Sequence, residues 1–260
     1  MPTYWVALAV TIFLSLGGGH ALPSVFDVGW SITLLPSHNG PLLGVAWTLQ
    51  FEIVFYAVFC LLILNRRLGL AGLTLWLIWI GLARTGVGIG GEIPQSLYGI
   101  YNLEFFLGMG CAYWLRTHAI SAPRQTLAAG AALFVAAAVA EDAYLIDGYA
   151  DLSRLIYGPA AALIVLGAAE ADRRSLITVP MILRTLGKAS YSIYLFQFVF
   201  IGVVWKTWLA AGMDGKMPHI ASFPLLATAG VAGGIAVSRL VEYPLLGLIR
   251  HSRRTVLAQI

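Results

Sequence analysis

Two glutamates stand where an otherwise apolar chain has little use for charge. Glu52 lies in Trp47-Thr48-Leu49-Gln50-Phe51-Glu52-Ile53-Val54-Phe55-Tyr56. Thr48, Glu52 and Tyr56 are spaced i, i+4 and i+8, so a helix puts them on one stripe. An ionisable side chain inside a membrane span costs about 2.5–3.5 kcal/mol on insertion scales, so such a residue usually has a reason to be there. Such a stripe can face the bundle interior and hydrogen-bond there, in a functional role or as a structural interhelix hydrogen bond. Glu104, in Tyr101-Asn102-Leu103-Glu104-Phe105-Phe106, enters its apolar run at a similar depth. Two carboxylates at one level either share a proton or each find their own donor. An interfacial structural role for Glu104 is the plainer reading.

The segment Leu186-Gly187-Lys188-Ala189-Ser190-Tyr191-Ser192-Ile193-Tyr194-Leu195-Phe196-Gln197 is polar at one end. Ser190, Tyr194 and Gln197 share a helix face at i, i+4 and i+7. An interfacial belt of tyrosines and hydroxyls accounts for most of this. It does not account for Gln197, roughly two and a half turns in from Lys188. Further on, Arg239 and Glu242 are spaced i, i+3 and are expected to pair as a structural element just before Pro244. Gly230 and Gly234 form a small-xxx-small pair suited to helix packing.

Other signals carry little. The Gly86–Gly91 run follows no strand and reads as a turn rather than a phosphate loop. The histidines at 20, 38, 118, 219 and 251 have no metal-ligand spacing, so no metal site is expected. Cys60 and Cys111 sit inside apolar runs and read as buried small hydrophobes rather than a disulfide.

The elements that position these residues follow from composition. The chain has 260 residues, of which 59% are hydrophobic and 11% charged; its mean hydropathy is +0.83. Soluble domains carry roughly a quarter charged residues, so a soluble enzyme is excluded and lipid is the expected solvent. The net charge of +4 is spread between apolar runs and forms no basic face, so no nucleic-acid partner is expected.

A span needs about 20 mostly apolar residues. Eight runs approach this, at 3–17, 46–64, 68–83, 98–115, 126–146, 154–169, 188–211 and 223–247. The expected fold is an all-α integral membrane protein, a single domain over 1–260. Placing the loop after the second run inside puts Arg66, Arg67, Arg116, Arg124, Arg173, Arg174, Arg184, Lys188, Arg250, Arg253 and Arg254 in the cytoplasm. Only Arg84, Arg154, Lys206 and Lys216 then lie outside, and both termini are cytoplasmic. The connection 18–45 is long enough to serve as a lid or substrate-binding element, or to be a passive surface loop. On these grounds alone, a carrier or exporter of small metabolites or lipid-linked sugars, coupling protons through Glu52 and Glu104, competes with an enzyme.

Four segments together resemble the type-3 membrane acyltransferases. Trp47 to Tyr56 is similar to that family's W-[ST]-L-x-x-E-x-x-[FY]-Y element, and Leu186 to Leu195 to its L-G-x-x-S-Y-S-x-Y-L-x-H element. Val241-Glu242-Tyr243-Pro244 is similar to its closing V-E-x-P, and Pro2-Thr3-Tyr4-Trp5 to its P-x-Y-W. The resemblance implies an enzyme of the plasma or bacterial inner membrane. It would move an acyl group, often acetyl, from acyl-CoA to a hydroxyl of an envelope carbohydrate or related acceptor, with no bound cofactor. Glu52 is then the catalytic candidate, and Trp47, Tyr56, Glu104, Ser190, Tyr191, Tyr194 and Gln197 are substrate-binding candidates. Arg239, Glu242 and Pro244 are structural candidates. The family's usual histidine after Ser-Tyr-Ser-x-Tyr-Leu is Gln197 here, which cannot titrate near neutral pH. Its two preceding helices, one bearing an Arg and a catalytic His, have no counterpart. The resemblance therefore implies an amino-truncated, impaired acyltransferase, through a misplaced start or a true deletion.

Overall fold

The computed structural model describes residues 2–17, 23–37, 40–85, 93–213 and 219–248. They form helices α1 (Pro2–Gly17), α2 (Val25–Thr33), α3 (Trp47–Leu64), α4 (Arg66–Ala83), α5 (Gln95–Tyr98) and α6 (Asn102–Thr117). These are followed by α7 (Pro123–Asp142), α8 (Asp151–Arg173), α9 (Met181–Ala210) and α10 (His219–Val237). No strand occurs among the described residues. Six helical stretches are long and apolar enough to cross a membrane: Gly44–Leu64, Arg66–Ala83, Pro123–Asp142, Asp151–Arg173, Met181–Ala210 and Ser222–Leu248. The outward side chains include Phe13, Ile63, Leu64, Leu75 and Phe198, each well exposed. An apolar exterior of this kind belongs in lipid. The protein is an all-α, multi-pass membrane protein.

All eight expected runs coincide with helices, but two of them, α1 and α6, have only 16 residues each and fall outside the six long enough to cross a membrane. The differences at helix ends have local causes. In α9 the helix starts at Met181 rather than 188, because Pro180 ends the preceding extended stretch and caps the next turn. Gly99, in extended conformation, separates the single-turn α5 from α6. The connection 18–45 contains α2, which was not expected. Its signal is a capping box: the Ser24 hydroxyl accepts from the Asp27 N–H at 3.1 Å and donates to the Asp27 carboxylate at 2.7 Å. Cys60 is a correction: it is exposed on α3, while Cys111 is buried, and both are free thiols. The Gly86–Gly91 run, His20 and His38 lie outside the described residues.

The chain divides into two compact units. One gathers α1, α2, the turn before α3, α9 and α10; the other gathers α3 beyond its first residue through α8. In the second unit, Val54, Leu73, Trp76 and Ile80 form a buried core, and the Trp76 indole donates to the Leu97 carbonyl at 2.6 Å. α7 and α8 approach through glycines. A Cβ at Gly167 would lie 2.3 Å from the Leu127 nitrogen, and one at Gly130 would lie 2.7 Å from the Ile164 nitrogen. In lipid, small residues of this kind bring helices together where no hydrophobic force does so. In the first unit, α9 and α10 meet the same way. A Cβ at Gly234 would lie 2.4 Å from the Ile193 Cα, while Gly230 borders Gln197 and Ile201 at 3.4 Å.

The ends of α7 and α8 are pinned by charge. Glu170 is fully buried, 2.5 Å from both Arg173 and Arg174. Arg174 also donates to the Ile120 carbonyl at 2.7 Å, and Arg124 to the Leu176 carbonyl at 2.5 Å. At the opposite end, Arg84 pairs with Asp151 at 3.0 Å. Gly167→Ala is expected to cost about 1–3 kcal/mol through overpacking against backbone. Gly187→Ala, with open space around it, should be neutral or nearly so. Denaturant unfolding in detergent compares the two.

Candidate active site

Three of the four motif elements lie in the first unit, and one hydrogen bond, from Ser192 to Glu242, joins two of them directly. Tyr4, fully buried on α1, donates its hydroxyl to the Ser31 carbonyl of α2 at 2.5 Å. Trp5 donates to the neighbouring Ile32 carbonyl at 3.3 Å. The Ser31 hydroxyl in turn accepts from the Leu42 N–H at 3.0 Å. The end of the 18–45 connection is therefore fastened to α1 and is not a free surface loop. Tyr191 lies close enough to Tyr4 for the two phenols to interact electrostatically. Tyr194 donates to the Val45 carbonyl, two residues ahead of Trp47. Ser190 is exposed and bonds only its own helix, at the Gly187 carbonyl, 2.9 Å away. Gln197 is half-buried, with its Cβ beside Gly230 of α10.

Behind the Tyr194–Val45 bond lies an apolar cavity of about 490 Å³, bounded by Thr11 and Leu14 of α1, Leu43, Leu195 and Phe198, with Lys206 at its rim. Its size and apolar lining suit a small amphiphilic ligand.

Arg239 and Glu242 do not pair, which corrects the sequence expectation. Arg239 is exposed. One oxygen of the buried Glu242 accepts from Ser192 at 2.6 Å and from Ser238 at 2.9 Å. The cause is a π-helical turn over Ser238–Glu242, in which the Tyr243 N–H bonds the Ser238 carbonyl. Pro244 has no N–H to give to residue 240, and its ring crowds that carbonyl, so the helix widens just before it. The wider turn brings Ser238 and Glu242 onto one face and carries Arg239 away from Glu242.

In the second unit, Glu52 sits half-buried in α3 with the Tyr56 hydroxyl, one turn on, as its polar neighbour. The expected i, i+4 stripe therefore forms. Trp47 and Tyr56 are both partly exposed. Glu104 faces Arg154, with an N–O distance of 3.9 Å. Each carboxylate has its own partner, so the shared-proton arrangement is not adopted. Nearby, Tyr157 donates to Glu141 at 2.7 Å. Among the described residues no cluster of His, Cys, Asp and Glu suited to a metal ion occurs.

Residues 2–242 match the acyltransferase domain of the type-3 family. A relative, the exopolysaccharide production protein ExoZ of Rhizobium meliloti (strain 1021), is 32% identical over 273 residues, covering 98% of this chain and 80% of the relative. The chain belongs to the type-3 acyltransferase family. No solved structure matches it.

Within this acyltransferase, sequence reading finds the motif residues but misses the groups that hold them. Ser31 carries no periodic signal, and the i, i+4 spacing of Ser238 and Glu242 is masked by the charged Arg239, three residues before Glu242. Glu170 falls just past the expected end of its span, and Arg154 reads only as a topology marker.

The Glu242 network generates a test. Glu242→Leu strands two buried hydroxyls, at about 1–3 kcal/mol for each. Glu242→Gln keeps an oxygen that accepts from both serines, and should lose much less. Thermal unfolding in detergent separates them, and equal losses would count against the network.

Proposed function

We propose that this acyltransferase takes part in moving an acyl group from acyl-CoA to a hydroxyl of an envelope carbohydrate, with Glu52 as general base. One observation supports Glu52 above the other intramembrane glutamates. Glu170 is sealed between two arginines, Glu242 is buried under two serines, and Glu104 faces a guanidinium. Glu141 takes a phenol, but it stands at the very end of α7 with its carboxylate packed against Gly148 of the following turn. Glu52 is only half-buried, and its partner is a neutral phenol. A carboxylate with a neutral donor on one side keeps lone pairs for a proton. Gln197 stands where the family's histidine usually is and cannot take that role.

In this reading the acceptor hydroxyl gives its proton to Glu52 as its oxygen attacks the thioester carbonyl. The carbon–sulfur bond then breaks, and the CoA thiolate leaves and takes up the proton. Trp47 and Tyr56 flank the reacting groups on α3, and Tyr194 fixes the backbone entering that helix through Val45. Within the first unit, Tyr191 lies beside Tyr4, and Tyr191, Ser190 and Gln197 are the candidates on α9 for polar contacts with substrate. Arginines at the cytoplasmic helix ends meet the CoA phosphates. The positive-inside pattern puts both termini in the cytoplasm of a plasma or bacterial inner membrane. The carbohydrate acceptor follows the similarity to an exopolysaccharide production protein.

Membranes from cells carrying the altered gene in place, given radiolabelled acyl-CoA, test this. Glu52→Gln should lower label in envelope carbohydrate by roughly 10²–10⁴-fold, the usual worth of a general base. Tyr56→Phe, which removes only the phenol, should lower it less. Unchanged labelling in Glu52→Gln, or proton-driven uptake without acyl transfer, would overturn the assignment.

A further inference from the structure

The second unit holds a polar pair that the acyl-transfer reading does not need. Arg154 stands near the start of α8, its guanidinium over the rings of Tyr101 at 5.1 Å and Tyr157 at 5.7 Å. One of its terminal nitrogens donates to the Gly148 carbonyl at 2.5 Å, and the other faces Glu104 at 3.9 Å. That is long for an ion pair in direct contact. The Arg154 Nε is buried and has no hydrogen-bond partner among the described residues. A buried N–H without an acceptor is rare in a native protein and calls for one.

Two cavities descend from this same pair. The larger, about 420 Å³, runs between α6, α7 and α8 past Gly108, Cys111 and Phe134 to Val165, roughly 16 Å along α8 from Arg154. The smaller, about 280 Å³, lies on the other side of the α6–α8 contact, past Leu103, Phe106 and Pro159. Glu104, Leu107 and Arg154 belong to both walls. The ridge between the cavities is the close contact of Leu107 with Gly158, where a Cβ would lie 3.0 Å from the leucine side chain. The polar pair thus sits over two troughs of mainly apolar lining, the larger of which also carries Glu141, held by the Tyr157 hydroxyl at 2.7 Å.

The level of the pair is that of a membrane interface. Glu104 opens α6, Arg154 lies in the first turn of α8, and the turn joining α7 to α8 presents Tyr144 and Tyr149, both almost fully exposed. Tyrosines gather at the headgroup level in this way.

We propose that this site binds one two-chain aminophospholipid of the phosphatidylethanolamine type, its head on Glu104 and Arg154 and one chain in each cavity. Arg154 Nε and its terminal nitrogens meet the phosphate, and Glu104 accepts from the ammonium. The pair's two charges mirror those of the zwitterionic head. An anionic glycerol head would leave Glu104 facing phosphate with no cation, and a trimethylammonium head has no N–H to give it. The proposal needs only the membrane setting and stands apart from the acyl-transfer reading.

The full chain in detergent micelles, mixed with equal amounts of phosphatidylethanolamine, phosphatidylglycerol and phosphatidylcholine, tests it by native mass spectrometry. The unaltered protein should keep a single phosphatidylethanolamine in preference to the other two. Glu104→Gln should weaken that retention roughly tenfold, as expected for one charge-assisted bond, and remove the preference over phosphatidylglycerol. Gly108→Leu, at a position whose Cβ meets nothing within 4 Å, should fill the larger cavity and release the lipid while leaving thermal unfolding unchanged. Equal retention of the three lipids by the unaltered protein would overturn the proposal, with no variant needed. So would undiminished retention by folded Gly108→Leu.

Discussion

A carboxylate inside a membrane helix must find a donor, because lipid offers none. Five glutamates lie within helical stretches of the described residues. Glu141, near the end of α7, takes the Tyr157 hydroxyl, and the other four each find a different answer. Glu170 takes two arginines from the next turn of its own helix. Glu242 takes two serines, one of them fifty residues away on α9. Glu104 looks across to an arginine on α8, and Glu52 to a tyrosine one turn on. Much of the local architecture serves these pairings. The Glu170 arginines reach on to carbonyls at the ends of α6 and α7, so satisfying one buried charge also fastens helix ends together. The π turn before Pro244 exists where the Glu242 network needs its serine on the same face.

Helix positions were legible in the sequence because a span's length and apolarity are set by the bilayer. Every expected run found a helix. The ends were less legible, since they depend on single residues: Pro180 brought α9 forward and Gly99 cut α5 from α6. α2 escaped notice because nine residues containing a glycine carry too little periodicity. The capping box at Ser24 and Asp27 was its only local sign. In the candidate site, Glu52 and Tyr56 could be read as a pair because helix geometry alone places i beside i+4. Arg239 and Glu242 could not, because the same rule assumes an α-helix, and Pro244 had changed the helix type beneath it. Ser192 carries the same lesson: its partner is distant in sequence, so no spacing announces it.

Glycine does in this protein what apolar bulk does in soluble cores. Gly130 and Gly167 let α7 and α8 touch backbone to backbone, and Gly234 does so for α9 against α10. Dispersion and close fit replace the hydrophobic effect, which lipid cancels. One consequence concerns the polar groups. Helices drawn this close leave little room for water, so hydroxyls such as Ser192 and Ser238 are committed to protein partners. Where the approach relaxes, as between α6 and α8 on either side of Leu107, cavities open instead.

The contrast among the glutamates also bears on where chemistry can occur. A carboxylate sealed by its own partners is out of reach of a substrate. Glu170 is in that state, and its burial between two cations makes it a structural anion. Glu242 accepts two hydroxyls on one oxygen in a sealed setting, so a reacting molecule has no route to it. Glu52 is the reverse case. Its neutral partner supplies orientation without cancelling its charge, and its partial exposure leaves a path for a hydroxyl to approach. A general base needs that combination of fixed aim, spare acceptor capacity and access. Within α3, Glu52 is the one carboxylate, and the proposed role rests on its setting beside Tyr56 one turn on.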